Sequence, residues 1–214
     1  QGWLATDLEQ SDQKQAAWRV DPKRSGISNC MGDIGTHAEN LAEAITGLQI
    51  SELCADLTAF GKGRTLDTDG NVLLRFSNGA RGILHASQIL VGEENGLNIR
   101  IYGTKGSLKW QQLEPNTLLY SPLGEWAQVI RAGDNHPLGK AALAHVRTPG
   151  GHPEGFFEAF ANIYRNYALA LSARLSGKKP KAAHFDFPTI DDGVRGMAFI
   201  EAVVRFVDHL FAAW

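Results

Sequence analysis

The sequence predicts an α+β fold, in which a mainly antiparallel sheet is open on one face and helices pack against the other face. Short strand-like segments joined by turns occupy the middle of the chain, and helix-like segments flank them on both sides. Because hairpin signals outnumber helical crossovers, antiparallel pairing is expected. With 214 residues, 43% of them hydrophobic, residues 1–214 are expected to form one domain.

Three segments precede the strands. TDLEQSDQKQAAWR is polar and predicts helical or irregular structure, whereas WRVDPKRSG predicts a loop because Pro22 and Gly26 interrupt it. Residues 32–46 predict a helix that stops at Gly47. Its apolar positions at near-helical spacing are Ile34, Leu41 and Ile45.

The strand region begins with LCADLTAF, an apolar and β-compatible segment. Asn78-Gly79 then separates two strand-like runs, which is a strong hairpin signal. LNIRIYGTKGSLKW alternates apolar and polar residues and turns at GTKG, which predicts one buried face. Further strands are expected around NTLLY and EWAQVI.

Two helices are expected after the strands. The first opens at Pro153 and ends at Gly177, and its apolar positions are Phe156, Phe160, Ile163, Tyr167 and Leu171. We interpret the aromatic residues of this series as core residues. The second begins near Thr189, which has capping-box-like spacing with Asp192. Its apolar face is predicted to contain Val194, Met197, Val204, Val207 and Phe211.

Composition excludes several classes of partner. A formal net charge of −2 gives no electrostatic reason to bind nucleic acid or an anionic membrane, so a small molecule or another protein is expected. Cys30 and Cys54 form no metal-binding or disulfide pattern, which fits a reducing cytoplasm and predicts no structural metal. No apolar run reaches membrane-spanning length, and no signal peptide is recognisable.

Asp33 and His37 form the sharpest local feature. They lie four residues apart on the expected helix, so their side chains share one face. A carboxylate beside an imidazole can fix its tautomer and raise its basicity, which makes His37 a candidate general acid/base. The spacing also allows a plain helix cap or surface pair.

The run SNCMGDIGTHAENLAEAITG resembles the G-x-x-x-D-x-G-x-H segment of the glucose-fructose oxidoreductase, inositol dehydrogenase and rhizopine-catabolism (Gfo/Idh/MocA) family. Asp33 and His37 fall on its acidic and histidine positions. Three further segments agree in order along the chain: AWRVDPKRSG, IRIYGTKGSLKW and GGHPEGFFEAFANIY. Together they span roughly residues 14–167.

The resemblance implies an NAD(P)-dependent dehydrogenase of a sugar, anhydrosugar or cyclitol. It further implies that an N-terminal Rossmann domain, absent from this chain, binds NAD or NADP and supplies the catalytic lysine of an E-K-P motif. His37 would exchange the hydroxyl proton, and Asp33 would support it. Since the chain has no G-x-G-x-x-G or E-K-P segment, we expect it to be inactive by itself.

Further candidates carry weaker signals. Trp18 and Arg19 resemble a family pair near the nicotinamide, and Arg19 could also meet substrate. His152 resembles the histidine of a family loop near the substrate. The Trp18-Arg19 pair and His152 could each have a structural role instead. His85 and Gln88 lie in a strand and are candidates for substrate binding if they face the pocket.

Two alternatives remain open. The chain could be a non-catalytic binding or oligomerisation module, because an open sheet face can pair with a second copy; family members commonly pair through this sheet, so a homo-oligomer is expected. It could also be a metal-dependent hydrolase that uses Asp33, His37 and His136 or His152, although three or four converging ligands would be needed. The sequence does not choose among polyhydroxylated substrates, between NAD and NADP, or between reaction directions.

Overall fold

The computed structural model describes residues 1–3, 18–19 and 21–206. These residues form two compact units. Gln1–Ile99 and the residues from Asp191 belong to the first unit, and Arg100–Ile190 form the second. The expected α+β class and antiparallel pairing are confirmed. Most of the segment TDLEQSDQKQAAWR lies outside the described residues.

The helix predicted over residues 32–46 is confirmed, but its first turn is wider than an α-helix. Met31–Gly35 are π-helical, and the α-helix α2 follows at Thr36–Thr46. Gly47 ends α2 in the left-handed conformation, with φ of 68°, and donates its N–H to Glu43. The predicted loop before this helix contains a single helical turn, α1 at Pro22–Ser25.

The first sheet has the order β1-β2-β3 and is antiparallel throughout. Its strands are β1 at Ile50–Thr58, β2 at Asp69–Phe76 and β3 at Arg81–Ser87. The Asn-Gly hairpin prediction is confirmed, because β2 and β3 are joined across Gly79, whose φ is 87°.

One face of this sheet carries the core of the first unit. Since strand side chains alternate, Val72 on β2 and its partner Leu84 on β3 share the buried face. Met31 of the π-helical turn packs there against Gly70, where a Cβ would lie 2.6 Å from the Met31 sulfur. The helix that carries Asp33 is therefore fitted closely to the inner face of the sheet.

The second sheet has the order β4-β5-β6-β7. Its strands are β4 at Asn98–Gly103, β5 at Gly106–Gln111, β6 at Thr117–Pro122 and β7 at Gln128–Arg131. Helical segments follow: α3 at Lys140–Leu143, α4 at Phe156–Leu175, a 3-10 turn at Ala182–Phe185 and α5 at Ile190–Phe206. All predicted strands are confirmed. None of the described helices is long and apolar enough to cross a bilayer.

The predicted start of α4 was wrong. Gly155 caps the helix, and its N–H donates to the Glu158 carboxylate at 2.7 Å, so Pro153 lies in the preceding loop. That backbone hydrogen bond lowers the pKa of the partly exposed Glu158 carboxyl. A side chain three residues into the helix thus decides the boundary, and the proline does not.

The apolar faces predicted for the last two helices also need correction. Phe156, Phe160 and Tyr167 of α4 are exposed and do not form a core. On α5 the predicted Val194 and Met197 are exposed too. The buried positions of α5 are Phe199, Ile200 and Val203, whereas Val207 and Phe211 lie outside the described residues.

Candidate functional site

Asp33 lies in the middle of the π-helical turn. Ser28 accepts the N–H of Gly32 at 3.0 Å, and the N–H of Thr36 reaches back five residues to the Met31 carbonyl. Single π-turns occur frequently at functional sites in helices, because the wider turn redirects side chains. The turn therefore places a carboxylate at an irregular point of the helix.

The buried Asp67 anchors the start of this helix. Its carboxylate accepts the N–H of Asn29 at 2.8 Å and the N–H of Met31 at 2.7 Å. Its main-chain carbonyl accepts the N–H of Cys30 at 3.0 Å. Three N–H groups that have no partner inside the helix are thereby satisfied by one residue, which fixes the turn against the loop before β2.

The Asp33 carboxylate is held from two sides. Arg19 Nε donates to Oδ2 at 3.0 Å and Arg19 Nη2 to Oδ1 at 3.4 Å, while Gln88 Nε2 donates to Oδ2 at 2.8 Å. Among the described residues, no hydrogen bond joins Asp33 to His37. The Asp33 side chain is 23% exposed, so a ligand can reach it. Its Oδ2 already accepts two hydrogen bonds.

His37 follows Asp33 by one helical turn and is exposed on α2. An imidazole can both accept and donate a proton, and its exposure leaves it accessible to a ligand. The two residues identified from their spacing are thus a surface-accessible imidazole and a partly open carboxylate on one helix.

Trp18 and Arg19 lie beside this carboxylate. The Arg19 guanidinium is 4.9 Å from the centroid of the Trp18 ring, within cation–π range, and it also forms the ion pair with Asp33. Both residues are partly exposed. The structure therefore brings Trp18, Arg19, Asp33 and Gln88 together.

Gln88 and His85, the two candidates for substrate binding if they face the pocket, lie in different surroundings. Gln88 is fully buried and donates to Asp33, so its side chain supports the carboxylate and does not open to a substrate. His85 points away from the core on β3, where its Nε2 lies 3.1 Å from Asp69 Oδ1. Since Leu84 and Ala86 face the core, His85 lies on the sheet face opposite the Asp33 helix.

His152 belongs to the second unit. It is exposed in the turn before α4, where its carbonyl accepts the Thr148 hydroxyl at 2.8 Å and its Nδ1 is 3.3 Å from the Pro149 carbonyl. Its imidazole is accessible to a ligand, and its role in substrate binding stays a prediction.

Sequence reasoning missed Asp67. No motif marked it, because its role depends on contacts with Met31 and Asn29, which lie 36 and 38 positions away in the sequence.

Cys30, which lies beside Asp67, is buried. Burial together with the nearby Asp67 carboxylate raises the pKa of the Cys30 thiol far above its ordinary value. A buried thiol with a raised pKa stays in the less reactive protonated form. Among the described residues, no three His, Cys, Asp or Glu side chains converge as a metal site.

The opposite face of α2 carries a buried carboxyl group, Glu39. Burial and the adjacent Glu43 carboxylate raise its pKa from 4.5 to about 7, although Arg195 on α5 opposes the shift. The folded state thus keeps a proton on Glu39 at pH values where the unfolded chain has lost it. The free energy of unfolding should fall as pH rises from 4.5 to about 7.

We expect Glu39→Gln to remove this pH dependence. At about pH 8 the variant should be more stable than the wild type by at least ~1 kcal/mol, and near pH 4 the two should be alike. Urea unfolding at both pH values measures the difference. Glu201→Gln, on the exposed side of α5, is the matched control and should show no such gain. Equal effects of Glu39→Gln at both pH values would contradict the assignment.

Comparison with known proteins places these features in a family. Residues 3–109 match the family described as GFO/IDH/MocA C-terminal domain. Uncharacterized oxidoreductase YfiI of Bacillus subtilis (strain 168) is 35% identical over 206 residues, which are 95% of this chain and 52% of that protein.

Solved structures give the same picture. An oxidoreductase from Sinorhizobium meliloti is 45% identical with a TM-score of 0.78, over 84% of this chain and 50% of that chain. An inositol dehydrogenase homolog from Azotobacter vinelandii, complexed with NADH and myo-inositol, is 32% identical with a TM-score of 0.82, over 96% and 53%. The chain therefore spans about half the length of the relatives that it matches.

Proposed function

Because the chain belongs to the Gfo/Idh/MocA family through its C-terminal domain, we propose that it is the substrate-binding and catalytic half of an NAD(P)-dependent dehydrogenase. The observation that carries this proposal is the exposed His37 one turn after Asp33, whose carboxylate Arg19 and Gln88 hold in place. In this proposal the preceding half of a longer protein supplies the nucleotide-binding domain and the catalytic lysine.

The proposed substrate is a sugar, anhydrosugar or cyclitol that is oxidised or formed at a carbinol carbon. Imidazole, carboxylate and guanidinium groups all form hydrogen bonds with hydroxyl groups. The side chains of His37, Asp33 and Arg19 therefore suit a polyhydroxylated molecule. The myo-inositol complex of a relative that is 32% identical supports this class.

His37 is the proposed general acid/base. During oxidation its imidazole accepts the hydroxyl proton, and during reduction it returns that proton to the oxygen. Asp33 is proposed to receive a substrate hydroxyl or the imidazole at Oδ1, the oxygen with the longer contact to Arg19. His152 of the second unit is proposed separately as a substrate-binding residue.

The residues beside Asp33 suit the reactive end of a dinucleotide. Trp18 offers a flat ring and Arg19 a cation, both partly exposed, whereas the sequence has no G-x-G-x-x-G turn to bind pyrophosphate. When bound, NAD or NADP supplies the nicotinamide that exchanges hydride with the substrate. We therefore assign to Trp18 and Arg19 the nicotinamide side of the site.

We further propose that the protein is cytoplasmic and works as a homo-oligomer that pairs through an open sheet face. Both cysteines are free thiols, which suits a reducing compartment. The exposed side of the first sheet presents apolar Leu73 and Ile83 next to each other, 57% and 79% exposed, which suits contact with a second copy.

The proposal is tested with the full-length protein that contains this chain. Purified protein is mixed with NAD⁺ or NADP⁺ and a panel of inositols, aldoses, ketoses and an anhydrosugar, and the reduced nicotinamide is followed by its absorbance. We expect turnover with at least one polyol, and the ratio of kcat/KM values to identify the preferred nucleotide. Absence of turnover with every member of the panel and with both nucleotides would reject the proposal.

A further inference from the structure

Gln88 is a fully buried amide that follows directly on the last strand of the first sheet. Its main-chain N–H donates to the Thr68 carbonyl at 2.8 Å, and its Nε2 donates to Asp33 Oδ2 at 2.8 Å. Within the described part of the chain, its Oε1 has no hydrogen-bond partner. Since a buried unpaired oxygen is costly, a leucine would fill this space at lower cost, and the bond to Asp33 is what the amide contributes.

The donors divide the two oxygens of Asp33 unequally. Oδ2 accepts both Gln88 Nε2 at 2.8 Å and Arg19 Nε at 3.0 Å. Among the described residues, the contact of Oδ1 is the long one of 3.4 Å with Arg19 Nη2. Charge-assisted hydrogen bonds to carboxylates are normally shorter than this, so Oδ1 retains most of its capacity to accept a bond.

Two consecutive residues, Asp67 and Thr68, anchor both Gln88 and the start of the helix. Thr68 accepts the Gln88 N–H, and the adjacent Asp67 accepts the N–H groups of Asn29 and Met31. Gln88 and the π-helical turn are therefore tied to two consecutive residues. This common attachment sets the distance between the amide and the carboxylate.

We propose that Gln88 is a positioning residue that turns Asp33 so that Oδ2 points inward and Oδ1 is presented to the substrate hydroxyl or to His37. This inference rests on the proposed dehydrogenase function and adds a residue that acts through Asp33 without touching the substrate. Without the amide, Arg19 is the remaining partner of the carboxylate among the described residues, and the carboxylate can rotate about its χ2 bond.

Gln88→Leu in the full-length enzyme tests the proposal. We expect kcat to fall about 10- to 100-fold while KM for the polyol changes little, because a misplaced group costs rate more than affinity. Gln49→Leu is the matched control, since that glutamine is exposed and its hydrogen bond within the described part of the chain is accepted by its main-chain carbonyl. A kcat for Gln88→Leu within about twofold of the wild type overturns the proposal.

Gln88→Glu separates positioning from simple packing. At neutral pH the new carboxylate repels Asp33, whereas at low pH its protonated form donates to Oδ2 again. The rate of Gln88→Glu relative to wild type at the same pH should therefore rise as pH falls, and that of Gln88→Leu should not. Parallel pH profiles of the two variants would show a packing role only and overturn the proposal.

The activity of the wild-type protein distinguishes failure of the proposed dehydrogenase function from failure of the Gln88 proposal. If the wild-type protein turns over no polyol, the proposed function fails, and the crystal structure of Gln88→Leu then decides the role of Gln88. Asp33 in a rotated or split conformation supports positioning, and Asp33 unchanged in a single conformation overturns it.

Discussion

Replacing His37 with alanine lowers kcat by about 10²- to 10⁴-fold, which is the usual contribution of general acid/base catalysis. The reason is that the exposed imidazole is the group proposed to exchange the hydroxyl proton, and alanine has no group that can do so. Steady-state absorbance kinetics of the full-length protein with its best polyol measure the loss. Affinity for the reduced nicotinamide, measured by fluorescence titration, should stay near the wild-type value.

His85→Ala is the informative comparison for this prediction. His85 lies on the opposite face of the first sheet, beside Asp69, so its removal should change kcat by less than about threefold. Retention of full turnover by His37→Ala would instead favour the non-catalytic binding or oligomerisation module.

Replacing Asp67 with alanine destabilises the chain by about 2 to 4 kcal/mol, because two N–H groups lose a charged acceptor in a buried place. The start of the helix before Asp33 would then be uncapped. Urea unfolding followed by circular dichroism measures the free energy of unfolding.

Two further variants serve as comparisons for Asp67→Ala. Asp67→Asn retains one acceptor oxygen, so its destabilisation should be intermediate between those of the wild type and the alanine variant. Asp134→Ala removes an exposed carboxylate and should stay within about 0.5 kcal/mol of the wild type. A loss below that size for Asp67→Ala would mean that the helix start does not depend on this carboxylate.

Most of the fold could be predicted from local patterns. The Asn78-Gly79 turn and the αL position of Gly47 depend on backbone preferences within a few residues, so their signals survive in the sequence. The start of α4 could not be predicted in this way. Pro153 is compatible with a first helical position, but the Glu158 side chain caps the N–H of Gly155 instead.

The candidate site was only partly predictable. The spacing of Asp33 and His37 and the resemblance to the family identified these two residues, because they lie on one continuous segment. The roles of Gln88 and Asp67 depend on contacts across 55 and 38 positions, respectively, which no local pattern records. The face of His85 was also undetermined, since Ile83 and Leu84 are both apolar although only Leu84 is buried.

The central contact of the proposed mechanism is the one between His37 and the reacting hydroxyl group. A crystal structure of the full-length protein with NADH and the polyol identified by the kinetic panel measures this contact. We expect an imidazole nitrogen of His37 within about 3.2 Å of the carbinol oxygen, with Asp33 Oδ1 facing the substrate or the imidazole. An imidazole more than about 6 Å from that oxygen, with no single water bridging the two, would contradict the proposed mechanism.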